Sequence, residues 1–258
     1  MNIESCACTS VGRRDNNEDA LLHLPRIAPH LGLFAVADGM GGYEGGEVAS
    51  HLVVDTVEDV YRRYLSEADL TWPPLPPAQR TRDENLLAAA IARAHLAVSG
   101  RRSGRLGNMG STVAALVLGE QRAVLGHVGD SRVYRWRNGE LCQLTRDHSL
   151  FEEVRAAGGA THMQSKADCP FANVITRALG MPERSDPDVG TVAVQAGDVF
   201  LLCSDGLSDP LSEATLAELL AACDSEGVVG VTRRLVQAAY DAGGKDNITA
   251  LIVRVRDQ

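Results

Sequence analysis

Short acidic stretches are scattered along the whole chain: Asn16-Asn17-Glu18-Asp19, Ala37-Asp38-Gly39-Met40-Gly41-Gly42, Gly129-Asp130-Ser131-Arg132, Ser204-Asp205-Gly206-Leu207-Ser208-Asp209 and Lys245-Asp246-Asn247. Each sets a carboxylate beside glycine or another turn-forming residue, and several follow an apolar run. A strand delivers a carboxylate to the rim of a sheet in this way. Carboxylates gathered on one rim suit Mg2+ or Mn2+, which prefer oxygen ligands and near-octahedral geometry. Two such ions about 3.5–4 Å apart share a water and lower its pKa. Histidine and cysteine are largely unnecessary for that chemistry, and the seven histidines contain no HxxxH or HExxH pair. Singly, each Asp-Gly is an ordinary turn. The repetition of short acidic element ends with small neighbours is what points to a site.

The totals bound what the chain can be. Its 258 residues allow one large domain or two small ones, and 45% hydrophobic content supports a sizeable core. A net charge of −9 opposes binding to nucleic acid or anionic lipid, both of which need Lys and Arg. Cys6, Cys8, Cys142, Cys169, Cys203 and Cys223 include no CxxC pair, and free thiols in a reducing cytoplasm are expected. The N-terminus lacks a basic region followed by an apolar stretch, and no apolar run reaches the roughly 18–20 residues of a membrane helix. The expectation is a soluble, cytoplasmic protein.

The elements that must position the carboxylates can be read from periodicity. Strands are expected at 3–9, 32–38, 111–118, 122–128, 131–137, 141–144, 191–194, 199–203 and 248–255, with a hairpin turn at Asn138-Gly139. Helical spacing runs over 48–64, 84–99, 150–157, 212–222 and 227–242. Residues 69–83, with Trp72-Pro-Pro-Leu-Pro-Pro77 followed by polar residues, read as a stiff surface connection and 160–173 as a mobile surface segment. Strands and helices come in separate runs with hairpins, which predicts an α+β layered fold with largely antiparallel sheets, in one domain spanning 1–258.

Seven motifs stand in order: Arg14-x-x-Asn17-Glu18-Asp19, Asp38-Gly39-Met40-Gly41-Gly42, Gly110-Ser111-Thr112, Val128-Gly129-Asp130-Ser131-Arg132, Leu144-Thr145-x-Asp147-His148-Ser149, Ser204-Asp205-Gly206-Leu207-x-Asp209 and Asp246-Asn247-Ile248-Thr249. In these the chain resembles the protein phosphatase 2C family, the metal-dependent serine/threonine phosphatases, in its bacterial form. The resemblance implies a four-layer α-β-β-α sandwich with two central antiparallel sheets. It implies two Mn2+ or Mg2+ ions, with a weaker third position. Asp38 would bridge the pair, Glu18 and the Gly39 carbonyl would serve one ion, and Asp205 and Asp246 the other. Asp130 and Asp209 match the third position. Arg14 matches the arginine that grips the substrate phosphate, the alternative being a surface ion pair with Asp15 or Asp19. Asn247 would orient a ligand or water.

The implied reaction is hydrolysis of phosphoserine and phosphothreonine in proteins by attack of activated water, opposing a bacterial-type Ser/Thr kinase, with the protein acting as a monomer. A catalytically silent phosphoprotein-binding regulator is the alternative. Eukaryotic members carry histidine after the Asp-Gly pair as general acid, whereas this chain has Met40. A metal-bound water is the expected proton source, and His148, beside a helix cap, is the other candidate. Residues 150–179 take the place of the family's flap, which helps choose substrates.

Overall fold

The structure is a computed structural model that describes residues 2–42, 45–67, 80–158, 171, 174–182 and 185–256. Its strands are β1 (Asn2–Ser10), β2 (Asp19–Ala28), β3 (Leu31–Met40), β4 (Gly110–Ser111), β5 (Val113–Leu118), β6 (Arg122–Val128), β7 (Arg132–Arg137), β8 (Glu140–Gln143), β9 (Asp188–Ala193), β10 (Val199–Cys203) and β11 (Ile248–Arg256). The helices are α1 (Gly45–Ser66), α2 (Arg82–Arg101), α3 (Leu150–Ala156), α4 (Asp205–Ser208), α5 (Glu213–Ala221) and α6 (Cys223–Asp241). One sheet has the order β1-β11-β10-β7-β8, the other β2-β3-β5-β6-β9 with β4 added beside β3, and every pairing is antiparallel.

Two central sheets flanked by helices follow from which strand face is apolar. Alternate residues point to opposite faces. Leu33, Ala35 and Ala37 of β3 pack with Val53, Val57, Leu87 and Ile91 of α1 and α2. Leu201 and Cys203 of β10, with Ala250 and Ile252 of β11, pack with Leu216, Val231 and Leu235 of α5 and α6. The intervening residues Phe34, Val36, Leu116, Phe200, Leu202, Leu251 and Val253 fill the space between the sheets. Both faces of these strands are covered, so their sequences read as continuous apolar runs.

Local chemistry sets the boundaries. Thr81 and Glu84 form a reciprocal capping box, so α2 starts at Arg82 and not at 84. Asn138 and Gly139 both have positive φ in the hairpin between β7 and β8, as expected. The predicted strand 111–118 is split at Thr112, where Leu179 pairs with Ser111. The chain at Gly227 has φ 75 and ψ 160, so α6 is continuous only beyond it, where the spacing places its start. Two elements escape the sequence pattern. In β2, Pro25 and a register shift between Leu24 and Ala28 obscure the alternation. The single turn of α4 is too short to show a helical period. The expectations for 160–173 and for 69–83 lie largely outside the described residues, and the end of the latter, Arg82-Asp83, is the first turn of α2. The chain on either side of 159–173 is joined at its base, with Ser149 bridged to Ile175 and the Thr176 amide donating to the His148 carbonyl.

Candidate metal centre

The polar residues continue the alternation of the inter-sheet layer. Asp38 lies two residues beyond Val36 on β3, Ser204 two beyond Leu202, and Thr249 two before Leu251. Asp19 sits opposite Asp38 across β2 and β3. At this end of the sandwich the space between the sheets changes from apolar to polar. Ser204 Oγ and Thr249 Oγ1 donate to Asp19 Oδ2 at 2.8 and 2.6 Å, tying the two sheets together. Thr112 Oγ1 accepts from the Asp38 amide at 2.9 Å, and the Thr112 amide donates to the Asp38 carbonyl. These contacts fix the bend at Asp38-Gly39.

Gly39 passes close to the start of α1. A Cβ on Gly39 would lie 2.0 Å from the Gly46 carbonyl oxygen, and one on Gly46 would lie 2.6 Å from the Glu18 carboxyl carbon. The Gly46 amide donates to that carboxylate, and the Gly39 amide to the Glu18 carbonyl. Glu18, Asp38 and Gly39 are thereby held side by side. On the other sheet, Asp205 opens α4 after β10, and Asp246 precedes β11.

Asn247 locks these loops together. Its Oδ1 accepts from the Glu18 amide at 2.8 Å, and its Nδ2 donates to the Val11 and Asn16 carbonyls, each at 2.9 Å. Both side-chain donors are engaged with backbone, so the ligand-orienting work expected of Asn247 is indirect: it holds the loop that carries Arg14 and Glu18. Arg14 donates from NH2 to Asp246 Oδ2 at 2.8 Å and from Nε to the Lys245 carbonyl at 3.1 Å. Its ion pair is with Asp246 and not with Asp15 or Asp19. Its side chain is 56% exposed, facing solvent at the edge of the carboxylates.

Electrostatics shows how crowded the group is. Burial pushes the Asp38 carboxyl well above the usual range, and Asp19, Asp205, Asp130 and Asp246 push it further. Asp19 is raised to about 7 by burial, against the hydrogen bonds from Thr249 and Ser204. Burial also raises Glu18, which the Arg14 guanidinium opposes. Asp130 is buried beside Gly129 and contributes to the field at Asp38. Asp209 is exposed and lines a cleft of about 370 Å³ with Asp205 and Asp246.

This donor set fits divalent cations. It consists of hard oxygens, it gathers like charges that a cation would neutralise, and Asp19 Oδ1 is buried without a hydrogen-bond partner. Asp19 was given no role from sequence. The signal that finds it is its place on the same strand face as Leu21 and His23, which point between the sheets.

His148 belongs to a different group. The Gly129 amide donates to its Nδ1 at 3.1 Å, which assigns the ring proton to Nε2, 3.2 Å from Asp188 Oδ2. Its ring stacks on His127 with centroids 4.6 Å apart. Both nitrogens are engaged away from the carboxylates, whereas a general acid needs a proton aimed at the leaving group. His127, His148 and Asp188 bring potential ligand atoms within 4.8 Å of one another. A cation on His148 Nε2 would shift the proton to Nδ1, against the Gly129 N–H, so this trio fits hydrogen bonding better than metal.

The sequence model of the protein phosphatase 2C family matches residues 10–238. The chain is 31% identical to protein phosphatase PhpP of Streptococcus pneumoniae, with 99% of each chain covered. The Streptococcus agalactiae serine/threonine phosphatase superposes with TM-score 0.84 at 30% identity, covering 99% of this chain and 100% of the other. The catalytic domain of the serine/threonine phosphatase PstP, in complex with two manganese ions, does so with TM-score 0.77 at 32% identity, covering 99% of each. The chain belongs to the protein phosphatase 2C family.

Proposed function

We propose that the chain hydrolyses phosphoserine and phosphothreonine in proteins with the help of two manganese or magnesium ions, and so opposes a Ser/Thr kinase of the same cell. The observation that carries this reading is the meeting of Glu18, Asp19, Asp38, Asp205 and Asp246, from four distant stretches of sequence, under a solvent-facing Arg14. In the relative PstP two manganese ions are bound. Here Asp38 would bridge the pair, Glu18 and the Gly39 carbonyl would hold one ion, and Asp205 and Asp246 the other. Asp130 and Asp209 are the candidates for a third. When bound, the cations supply Lewis acidity, activating solvent and neutralising charge on the phosphoryl oxygens.

The chain's own residues do the remaining work. Arg14 keeps NH1 available, among the described residues, to donate to a phosphate oxygen, and its contacts to Asp246 and Lys245 fix the guanidinium plane. The Asp19 contacts to Ser204 and Thr249 keep the two sheets, and hence the two halves of the carboxylate set, in register. Met40 has no proton to give, so solvent within the site is the proposed proton donor to the leaving alkoxide.

A silent regulator would be expected to lack some of these carboxylates or Arg14, and this chain has them all. We take the chain to act as a cytoplasmic monomer and to fold as one domain with 150–179 as one insertion. No helix among the described residues is long and apolar enough to cross a membrane. The test is hydrolysis of p-nitrophenyl phosphate and of a phosphothreonine peptide with manganese. EDTA should stop both, and a rate no higher than the blank with manganese present would end the reading.

A further inference from the structure

The cleft beside Asp205 and Asp246 is larger than cation and phosphate contacts alone require. Its volume of about 370 Å³ falls within the range of small-ligand clefts, about 300–1,000 Å³. Carboxylates form one part of its lining. The remainder is Gly206, Pro210 and the turn Ala242-Gly243-Gly244-Lys245, which have no part in the phosphate chemistry.

That turn is held rigidly. Gly243 and Gly244 have φ of 141 and 56, and their amides donate back to the Tyr240 and Ala239 carbonyls. The Gly244 carbonyl accepts from the Arg13 amide at 2.8 Å, and the Lys245 carbonyl from Arg14 Nε at 3.1 Å. The arginine suited to the phosphate therefore also fixes the backbone of Lys245. The Lys245 stem lies over Gly243: its Cγ and Cε are 3.8 and 3.9 Å from where a Cβ on Gly243 would be. A glycine floor leaves space for an extended chain to pass.

Lys245 is exposed, and among the described residues its side chain makes no hydrogen bond or ion pair. Arg13 stands beside the same turn, with its guanidinium 5.7 Å from the centre of the Tyr240 ring. One exposed cation thus lines the cleft and a second stands behind its turn, on a chain of net charge −9 that has only two lysines. Asp246 already has Arg14 as its partner, so neutralising that carboxylate does not account for Lys245.

We propose that Lys245, supported by Arg13, reads an acidic side chain near the phosphoserine or phosphothreonine, so that the enzyme selects phosphoproteins with Asp, Glu or a second phosphate flanking the scissile one. This rests on the protein-phosphatase reading above and adds a specificity-determining residue to it. An extended peptide advances about 3.3–3.6 Å per residue, so a flexible lysine next to Asp246 matches an acceptor about two residues from the reacting one. A compact ammonium on a long stem suits a carboxylate whose position varies between substrates.

The experiment compares phosphothreonine peptides that differ only in carrying Glu, Gln or Lys two residues before or two after the phosphothreonine. Specificity constants with manganese are measured for the wild type, Lys245→Met and Lys245→Glu, at low and high salt. The readout is the ratio between peptides within each enzyme, so a general change in activity cancels. The wild type should favour the Glu peptide over the Gln peptide by about three- to fivefold, as for an exposed ion pair, mainly through KM. The preference should vanish in Lys245→Met, turn toward the Lys peptide in Lys245→Glu, and shrink in high salt. Equal ratios in all three enzymes, or no preference in the wild type, would overturn the proposal. Hydrolysis of p-nitrophenyl phosphate with none of the peptides cleaved would overturn the protein-phosphatase reading itself, and this proposal with it.

Discussion

The carboxylates of Glu18, Asp19, Asp38, Asp205 and Asp246 and the polar group around Arg132 and His148 lie close together, on either side of the Gly129-Asp130-Ser131 turn. The two groups are completed differently. Arg132 donates to both Asp147 oxygens, at 2.8 and 2.6 Å, and to the Tyr134 hydroxyl, while Gln143 adds a further bond to Asp147. His148 is closed off by Gly129 and Asp188. This second group satisfies itself. The first leaves Asp19 Oδ1 without a partner and sets like charges against one another. Buried polar groups that are complete hold a fold together, while those left incomplete mark where a ligand belongs.

Opposite responses to substitution would sharpen this contrast. Asp38→Asn is expected to cut turnover by on the order of a thousandfold or more and to remove cation binding in calorimetry, with no loss of cation-free melting temperature because a repelling charge is gone. Unchanged cation affinity would break the assignment. Arg132→Ala should do the reverse. It strands Asp147, 3% exposed, and should cost about 3 kcal/mol of stability in denaturant unfolding, while each remaining folded molecule keeps its cation affinity.

The pH dependence distinguishes the groups next. Asp19, raised from 3.8 to about 7, and Asp38, raised by the same cause, bind more protons folded than unfolded. Without cations, stability should therefore be greatest in acid and decline as pH rises from about 4 through 7. Manganese should remove that decline, so its stabilising effect in calorimetry grows with pH. A flat cation-free profile would show that burial does not hold Asp19 and Asp38 protonated above the usual carboxylate range. Smaller still, Arg14→Lys should raise KM for a phosphopeptide by about tenfold, since a lysine cannot reproduce the guanidinium fork. Least of all, His148→Gln should lower the melting temperature modestly and leave the pH profile for an alkyl phosphate unchanged. Loss of its acidic-side plateau would restore His148 as a proton donor.

Much of this arrangement could be read from the chain. The apolar runs ending in Asp38 and Ser204-Asp205 predicted strands that deliver carboxylates to a sheet rim, and Asn138-Gly139 fixed a hairpin. The family motifs supplied the candidate ligands. What stayed hidden depends on pairing between distant strands. Asp19 sits at the head of a strand whose pattern is broken by Pro25, so its position opposite Asp38 emerges only with the β2–β3 register. Thr112, Ser204 and Thr249 act through hydrogen bonds that span 74, 185 and 230 positions of sequence. No local period encodes such contacts. The engagement of His148 and Asn247 was invisible for the same reason, since Asn247 bonds to the backbone of remote loops and His148 to the Gly129 amide and the Asp188 carboxylate.

β11 lies between β1 and β10, and Asp246 stands directly before it. During translation, this sheet lacks the strand that joins β1 to β10 until β11 has left the ribosome, and the cation site lacks a carboxylate for as long. A nascent or prematurely terminated chain ending before Asp246 could bury the β2-β3-β5-β6-β9 sheet against α1 and α2 and still be inert. Dephosphorylation would thus begin only with molecules whose synthesis has run through to the closing strand.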